Sequence, residues 1–428
     1  MASISTTAAP KRRTFGELLN SDLRALPVVI ALIALWIFFA TQSDIFLTPR
    51  NLSNLLQQST VVGMMALGLM FVLLVKEIDL SIAAIHGVTA VFSAKLIVDY
   101  GFSPWLALPV AIVIGAAIGS CSARWVNWVG VPSFVVTLGL GLALNGIQLL
   151  LLPATARYAL MGTGVEYIAQ TTVAGASAWI AWAVGLILLG GLIFSGVVRR
   201  QRAGLEVSIL HSVLLPLLGA GILGALVVLV LNASQGIPLP VLIFVFLLGI
   251  GGYVLGETQF GLYLYAVGNN DEAARRAGIN VPLIRMAAFA IAGGIAAIAG
   301  IVASSRTLGV GVFSGGGVGG GTLLLESIAA AVIGGVSLFG GRGAIHAALL
   351  GALVIGTVQN GLNLMRGSLA PPKGVDAAAV NAVIIAAIQH LVLAAASGGQ
   401  CAGLSLKTPK DWEKAAMALK RIVRGVYG

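Results

Sequence analysis

Long apolar runs recur along almost the whole sequence, and no other feature constrains the fold as strongly. A helix needs roughly 20 residues to cross the hydrocarbon core of a bilayer, and each run is close to that length. Only 9% of the residues are charged, whereas soluble domains contain roughly a quarter. A mean hydropathy of +1.00 agrees with this difference. The sequence therefore predicts an all-α, polytopic membrane protein.

The apolar runs define about twelve transmembrane helices, within a range of about 10 to 12, with ends accurate to a few residues. The first run follows Lys11, Arg12 and Arg13, but no cleavage site of small residues comes after it. We therefore interpret it as an anchor and not as a signal peptide. The predicted spans are residues 26–41, 57–75, 82–98, 104–122, 133–152, 176–198, 208–231, 237–255, 283–303, 323–340, 344–364 and 378–396.

The distribution of basic residues predicts the orientation of these helices. Cytoplasmic loops of membrane proteins carry an excess of Lys and Arg. If the N-terminus is inside, most of the 25 Lys and Arg fall on the inner side. We therefore predict a cytoplasmic N-terminal segment at 1–25, a transmembrane domain at 26–396 and a cytoplasmic tail at 397–428. Membrane topology and attraction to anionic lipid account for the net charge of +10, so no nucleic-acid partner is predicted.

One segment between two apolar runs concentrates charge, and its order of residues predicts a short helix. An asparagine suits the N-cap, acidic residues suit the first turn, basic residues suit the last turn, and a glycine suits the C-terminal cap. Acidic and basic residues four positions apart can also form ion pairs. In chain order these residues are Asn269 or Asn270, then Asp271, Glu272, Arg275, Arg276 and Gly278.

Two interpretations of this helix are open from its residues. It can be a solvated connector between two spans, which is the ordinary role of a loop. It can also be a docking element for a cytoplasmic partner. The second interpretation explains why start and stop signals lie within ten residues of each other, which a mere connector does not need.

Four stretches together resemble a known family. The run "GNNDEAARRAGINVP" at 268–282 resembles the coupling loop of permease subunits of ATP-binding-cassette sugar importers, in the ribose, xylose and arabinose group. The resemblance extends over about residues 50–396 and is greatest to the D-xylose type. The other three stretches agree in order and spacing: "EIDLS" at 77–81, "VPSFVVTLG" at 131–139 and "ESIAAAVIGGVSLFGGRG" at 326–343.

This resemblance implies a division of labour. A periplasmic sugar-binding protein would deliver a monosaccharide, a pentose such as D-xylose. Two copies of the permease would form its path across the bacterial cytoplasmic (inner) membrane. A separate cytoplasmic ATPase subunit would bind ATP and Mg and drive the cycle. The chain itself would then be non-catalytic and need no cofactor.

The resemblance also implies which residues meet the ATPase. In the family the coupling loop fits a groove on that subunit, and here the loop is 268–280 within a permease domain at 26–396. A rigid helix suits this role because a flexible link would absorb a displacement instead of passing it on. The implied contact residues are Asn270, Asp271, Glu272, Ala273, Ala274, Arg275, Arg276 and Gly278.

Polar residues in or beside the spans are candidates for the translocation path. In "LLVKEIDLSIAA" we favour a cytoplasmic turn for Lys76 and Glu77, whereas Asp79 and Ser81 either cap the next helix or line the path. Uncharged polar side chains can hydrogen-bond a neighbouring helix, which is their commoner role, or meet sugar hydroxyls. The uncharged candidates are Thr137, Asn145, Gln148, Asn360 and Asn363.

Two other classes of protein also have apolar spans. An ion-coupled secondary transporter of a small polar solute is the main alternative, but it would need a buried ionisable relay, and few of these spans hold an ionisable residue. A membrane enzyme acting on lipid-linked sugars would need clustered acids or histidines near one face. The two Cys and four His are scattered and lack metal-ligand spacing. We predict neither catalytic nor metal-ligating residues.

Overall fold

A computed structural model describes residues 26–202, 204, 208–312, 314 and 322–365, and most of these residues are helical. A π-helical turn at Leu210–Leu214 leads into the eighth helix. The helices are α1 (Leu26–Gln42), α2 (Pro49–Leu74), α3 (Ile82–Val98), α4 (Pro104–Val129), α5 (Ser133–Leu151), α6 (Tyr167–Gln170), α7 (Ala176–Arg202), α8 (Leu215–Asn232), α9 (Leu239–Glu257), α10 (Gln259–Asn269), α11 (Asp271–Arg276), α12 (Val281–Arg306), α13 (Leu323–Ile333) and α14 (His346–Met365).

Two short antiparallel ladders interrupt the helical pattern. The strands are β1 (Arg157–Ala159), β2 (Thr172–Val173), β3 (Ile237–Pro238) and β4 (Gly309–Gly311). Strand β1 pairs with β4, with Tyr158 opposite Val310, and β2 pairs with β3. The first ladder joins the chain after α5 to the chain after α12, so it marks one end of the helix bundle.

Eight helices in the described part of the chain are long and apolar enough to cross a membrane: α2, α4, α5, α7, α8, α9, α12 and α14. Three predicted spans correspond to the shorter apolar helices α1, α3 and α13. The last predicted span, 378–396, lies outside the described residues, as do the segment 1–25 and the tail 397–428. A multi-pass helical membrane protein is confirmed.

The predicted span 323–340 was wrong in its extent, because α13 ends at Ile333 after 11 residues. Gly335 then takes a φ of 110°, a backbone conformation that suits glycine. The following residues leave the helix direction and return to the end of α2, where the N–H of Gly341 donates to the carbonyl of Leu74 over 3.0 Å. The glycines therefore form a structured loop at 336–343 and not the end of a span.

Helix α12 lies at the centre of the bundle, packed against α2, α3 and α4. Small residues permit this close approach. A Cβ on Gly293 of α12 would overlap the carbonyl oxygen of Gly115 on α4, and a Cβ on Gly119 would overlap that of Phe289. In contrast, only 11% of the apolar window of α7 and 6% of that of α8 are buried, so these two helices lie at the periphery.

The helix bundle has two ends, each marked by its own segments of the chain. We call one end the α11 end; it contains residues 75–81, 269–280 and 336–343. The other end, marked by the ladder of β1 and β4, we call the ladder end. Helices α3, α5 and α12 begin at the α11 end, and each finishes near the ladder end.

Candidate functional site

The short helix α11 has the caps that its sequence predicts. Asn270, and not Asn269, is the N-cap, and its Oδ1 accepts a hydrogen bond from the N–H of Ala273 over 3.0 Å. Arg276 pairs with Glu272 at 2.6 Å, and Arg275 lies 3.9 Å from Asp271. The predicted cap and charge pairs are therefore present in a helix of only six residues.

The C-terminal end of α11 is closed by a glycine. Gly278 has a φ of 85° and donates its N–H to the carbonyl of Arg275, and the N–H of Ile279 donates to the carbonyl of Ala274, each over 3.0 Å. This pair of hydrogen bonds is the Schellman arrangement, in which a hydrophobic contact commonly accompanies the turn. Ala274 and Ile279 both pack against the main hydrophobic core here.

One face of α11 is exposed and the opposite face is anchored. Glu272, Ala273, Arg275 and Arg276 are exposed, whereas Ala274 is only 4% exposed and packs into the core. Asn270 and Gly278 are also exposed, and Asp271 is half-buried. Of the eight residues predicted to meet an ATPase, Ala274 is thus the one that holds the helix to the bundle.

Behind α11, an arginine of α12 contacts two acidic residues. The guanidinium Nε of Arg285 lies 3.0 Å from Oε1 of Glu77, and another of its nitrogens lies 3.5 Å from Oδ2 of Asp271. The side chains of Arg285 and Glu77 are 19% and 11% exposed, and that of Asp271 is 44% exposed. Arg285 was not among the predicted site residues, because its pairing with Glu77 across the fold leaves no local signal in the sequence.

Three separate stretches of the chain also meet at their backbones beside α11. The ammonium of Lys76 donates to the carbonyl of Asn269 over 3.1 Å. A Cβ on Gly268 would overlap the carbonyl oxygen of Leu74 and would lie 2.5 Å from the N–H nitrogen of Gly341. The residues just before "EIDLS", the coupling loop and the "SLFGGRG" stretch therefore form one junction.

Residues 75–81 form a turn whose second half runs back into the bundle. Lys76 takes a φ of 63°, in the left-handed region. Asp79 is fully buried, and its Oδ1 accepts from the N–H of Ser81 at 2.8 Å and from the Ser81 hydroxyl at 2.5 Å. The predicted turn at Lys76 and Glu77 is confirmed. Asp79 thus closes a local turn onto Ser81, the residue before α3, and Ser81 itself makes no side-chain cap of that helix.

Helix α5 supplies the hydrogen bonds that this turn lacks. The N–H of Ile78 donates to the hydroxyl of Ser133 and the N–H of Leu80 donates to that of Thr137, both over 3.0 Å. Ser133 and Thr137 are four residues apart and lie on one helix face. The stretch "VPSFVVTLG" thus positions the stretch "EIDLS", and the Ser133 and Thr137 spacing was a signal that sequence reasoning could have used.

The same face of α5 continues to the ladder end. Gln148 is buried, and its Nε2 donates to the carbonyls of Gly311 and Ser314 over 2.9 and 3.0 Å. The buried atoms without a hydrogen-bond partner in the described part of the chain include Asp79 Oδ2, Asn145 Oδ1 and Gln148 Oε1. These atoms are acceptors of the kind that a sugar hydroxyl can donate to.

The two candidates on α14 lie elsewhere. Asn360 is buried and exchanges two side-chain hydrogen bonds with Asn51 of α2, over 2.8 and 3.1 Å. This contact joins two helices, as polar side chains in membranes commonly do. Asn363 is exposed on the surface of α14. The structure therefore groups Asp79, Ser81 and Thr137, and separates them from the two asparagines.

Comparison with known proteins shows to which family the chain is related. The model of a family described as "Branched-chain amino acid transport system / permease component" matches residues 51–393. The chain is 36% identical to the xylose transport system permease protein XylH of Escherichia coli (strain K12), over 84% of this chain and 90% of that protein. No solved structure matches the chain.

Two further relatives extend this similarity. XylH of Haemophilus influenzae is 36% identical to the chain, over 82% of this chain and 92% of that protein. The ribose import permease protein RbsC of Escherichia coli (strain K12) is 30% identical, over 85% of this chain and 92% of that protein. Residues 75–81, α5, α11 and the start of α12 all lie within the family match at 51–393.

Proposed function

The chain belongs to the family of branched-chain amino acid transport system permease components, and from this premise we propose that it is the membrane subunit of an ATP-driven sugar importer. Within that family the relatives named above are named for xylose and ribose, not for amino acids. Identity is higher to the xylose permeases than to the ribose permease. D-Xylose is therefore the proposed substrate. The chain is a multi-pass inner-membrane protein.

One observation carries the proposal: α11 is a capped helix with an exposed charged face and a buried anchor, Ala274. A helix held in this way moves as a unit when a partner pushes it. We propose that Asn270, Asp271, Glu272, Ala273, Arg275, Arg276 and Gly278 meet the cytoplasmic ATPase. In this proposal the α11 end is cytoplasmic, as are both termini of a bundle of about twelve spans.

The other partners follow from the proposed cycle. A periplasmic sugar-binding protein delivers the sugar at the ladder end, and a second copy of the permease completes the path within the lipid bilayer. ATP and Mg bind to the ATPase subunit, so this chain is not the catalytic subunit and holds no cofactor. This arrangement gives the exposed face of α11 a partner that alternates between an open and a closed state.

For the path we propose the buried face shared by the 75–81 turn and α5. Asp79, Ser81, Thr137, Asn145 and Gln148 lie on it, and three of them carry the acceptor atoms described above. A neutral sugar needs such acceptors and donors, because its hydroxyls do both. Asn360 and Asn363 stay proposed path residues; the Asn51 contact already accounts for Asn360, and uptake by the Asn360→Leu variant tests it.

The test is transport in proteoliposomes that contain the chain with its ATPase, with the sugar-binding protein supplied outside. We expect uptake of radiolabelled D-xylose that requires both ATP and the binding protein. D-Ribose and L-arabinose serve as competitors, which identify the preferred pentose. Uptake driven by an ion gradient without ATP would overturn the proposal in favour of a secondary transporter.

A pair of substitutions tests the docking face. The Glu272 and Arg276 side chains are 72% and 79% exposed, and exposed ion pairs contribute only about 0.2–1 kcal/mol to folding. The double variant Glu272→Gln with Arg276→Gln should therefore insert and fold normally, yet lose at least about 90% of ATP-dependent uptake. Full uptake in this variant would contradict the docking role of α11.

A further inference from the structure

Neither the local sequence pattern nor the family description gives Arg285 a role. It lies in the second turn of α12, four residues after Val281, and faces the α11 end. Its guanidinium is close to two carboxylates at once, 3.0 Å from Glu77 and 3.5 Å from Asp271. One cation therefore joins two parts of the chain that the sequence keeps far apart.

The two carboxylates belong to elements with different exposure. Asp271 is the first residue of α11, the helix that presents its outer face to solvent. Glu77 begins the half of the 75–81 turn that runs back into the bundle, and the hydroxyls of Ser133 and Thr137 hold that half against α5. Arg285 thus links an exposed element to a buried one.

Burial makes this link stiff. Exposed ion pairs are screened by water and salt, whereas partly buried pairs are screened much less. Arg285 and Glu77 are 19% and 11% exposed, so their attraction resists separation more than the Glu272 and Arg276 pair does. The planar guanidinium spans both carboxylates: Nη2 donates a long hydrogen bond to Asp271, whereas Nε attracts Glu77 as a charge contact without hydrogen-bond alignment.

We propose that Arg285 is the positioning residue through which a displacement of α11 reaches the 75–81 turn and the start of α3. The proposal rests on the proposed function, in which an ATPase moves α11. When α11 shifts, Asp271 pulls or releases Arg285, and Arg285 carries Glu77 with it. Because the turn begins α3 and contacts α5, the movement arrives at the face that we assign to the sugar path.

Two other cations lie beside the carboxylates that Arg285 contacts. Arg275 is 3.9 Å from Asp271, on the exposed side of that carboxylate. Lys76, next to Glu77, reaches the carbonyl of Asn269 and makes a parallel link between the same two segments. Within the described part of the chain, Arg285 is the residue whose side chain contacts both Glu77 and Asp271 directly.

The experiment separates binding of the ATPase from transmission of its motion. Proteoliposomes with the ATPase and the sugar-binding protein are assayed for basal ATP hydrolysis, for its stimulation by D-xylose, and for xylose transported per ATP. For Arg285→Gln we expect the ATPase to remain bound and basal hydrolysis to persist. Stimulation by xylose, and transport per ATP, should both fall at least about tenfold. Arg285→Lys should recover only part of the xylose transported per ATP, since a single compact ammonium cannot replace a planar guanidinium that spans two carboxylates.

A matched control removes another arginine that pairs with an acid. Arg199 of α7 pairs with Glu257 of α9 at the periphery of the bundle, so Arg199→Gln should leave the amount of xylose transported per ATP unchanged. If Arg285→Gln does not fold, Glu77→Gln breaks only the buried pair and should lower the xylose transported per ATP with the ATPase still bound, because Glu77 is not part of the proposed docking face.

The possible results distinguish the two proposals. A normal amount of xylose transported per ATP in both Arg285→Gln and Glu77→Gln would overturn the role of Arg285 and leave the importer function intact. Loss of ATPase binding in Arg285→Gln would also overturn it, because Arg285 would then act in docking. If the unaltered chain neither binds an ATPase nor transports a sugar, the proposed function fails and the inference fails with it.

Discussion

Leu80 donates its backbone N–H to the hydroxyl of Thr137 over 3.0 Å, and this contact joins the 75–81 turn to the second turn of α5. Thr137 is fully buried, so water cannot replace its hydroxyl without a rearrangement. The hydroxyl also donates to the carbonyl of Ser133 within α5. One side chain therefore satisfies a backbone donor that no regular element could satisfy.

Replacing this hydroxyl tests its contribution. Thr137→Val keeps the shape but leaves the N–H of Leu80 buried without an acceptor, which costs about 1–3 kcal/mol. We expect a lower midpoint of thermal unfolding in detergent and reduced uptake. Thr137→Ser keeps the hydroxyl and serves as the control, with a much smaller change. An equal loss of stability in the Ser and Val variants would show that the methyl group matters and the hydrogen bond does not.

The contact between α12 and α4 makes a prediction about two adjacent glycines. A Cβ on Gly293 would overlap the carbonyl of Gly115, whereas the nearest atom to a Cβ on Gly294 is 3.7 Å away. Gly293→Ala should destabilise the protein by about 1–3 kcal/mol through overpacking. Gly294→Ala should be neutral or stabilising by up to about 1 kcal/mol, because alanine favours helix. Thermal unfolding of the two variants side by side checks this, and similar midpoints would contradict it.

The buried asparagines of α2 and α14 can be tested as a pair. Asn360→Leu leaves Oδ1 of Asn51 without the donor that now lies 3.1 Å away. A double-mutant cycle with Asn51→Leu should give a coupling energy of about 0.6–1.7 kcal/mol, the range measured for side-chain hydrogen bonds between membrane helices. Xylose uptake by Asn360→Leu, measured in the same preparation, separates this role from the path. Zero coupling together with lost uptake would favour the path.

A pH dependence is expected at the ladder end. The carboxylate of Glu166 accepts hydrogen bonds from the N–H groups of Gly162 and Gly164 at 2.9 and 2.8 Å. Backbone hydrogen bonds, first that of its own N–H and then those of residues 162–164, lower the pKa of Glu166 from its ordinary value of 4.5. The stabilisation is therefore complete above that ordinary value, and it is lost as the pH falls through the lowered pKa.

Amide hydrogen exchange measures this effect locally. At pH 7 the amides of Gly162 and Gly164 should be protected in the unaltered protein and exchange faster in Glu166→Gln. As the pH falls through the lowered pKa of Glu166, the difference between the two proteins should vanish, after correction for the intrinsic exchange rate. Peptides from the centre of α12 serve as the internal reference. A difference that persists at low pH would show that charge is not the cause.

Local signals allowed the sequence to predict some parts of the structure. Helix α11 was predictable because its cap, its charge pairs and its closing glycine all lie within a few residues of one another. The turn at Lys76 and Glu77 was predictable because charged residues there interrupt an apolar run. Apolar length similarly predicted most spans, since a bilayer sets the length of a helix that crosses it.

Contacts between distant segments could not be predicted in this way. Nothing near Arg285 in sequence indicates Glu77 as its partner, and nothing near Ala274 indicates that its methyl group is buried in the core. The end of α13 at Ile333 was missed because the following residues are also small or apolar, and their return to Leu74 depends on the fold. The roles of Asn145 and Gln148 depend in the same way on which helices face them.

The junction beside α11 has a consequence for how sequences of this kind can vary. Gly268, Leu74 and Gly341 come from three separated stretches, and a Cβ on Gly268 would overlap the backbones of the other two. Since the obstacle is main chain, no change of side chain at the neighbouring positions can make room for it. Functional chimaeras between related permeases should therefore tolerate exchange of these stretches as long as position 268 remains glycine.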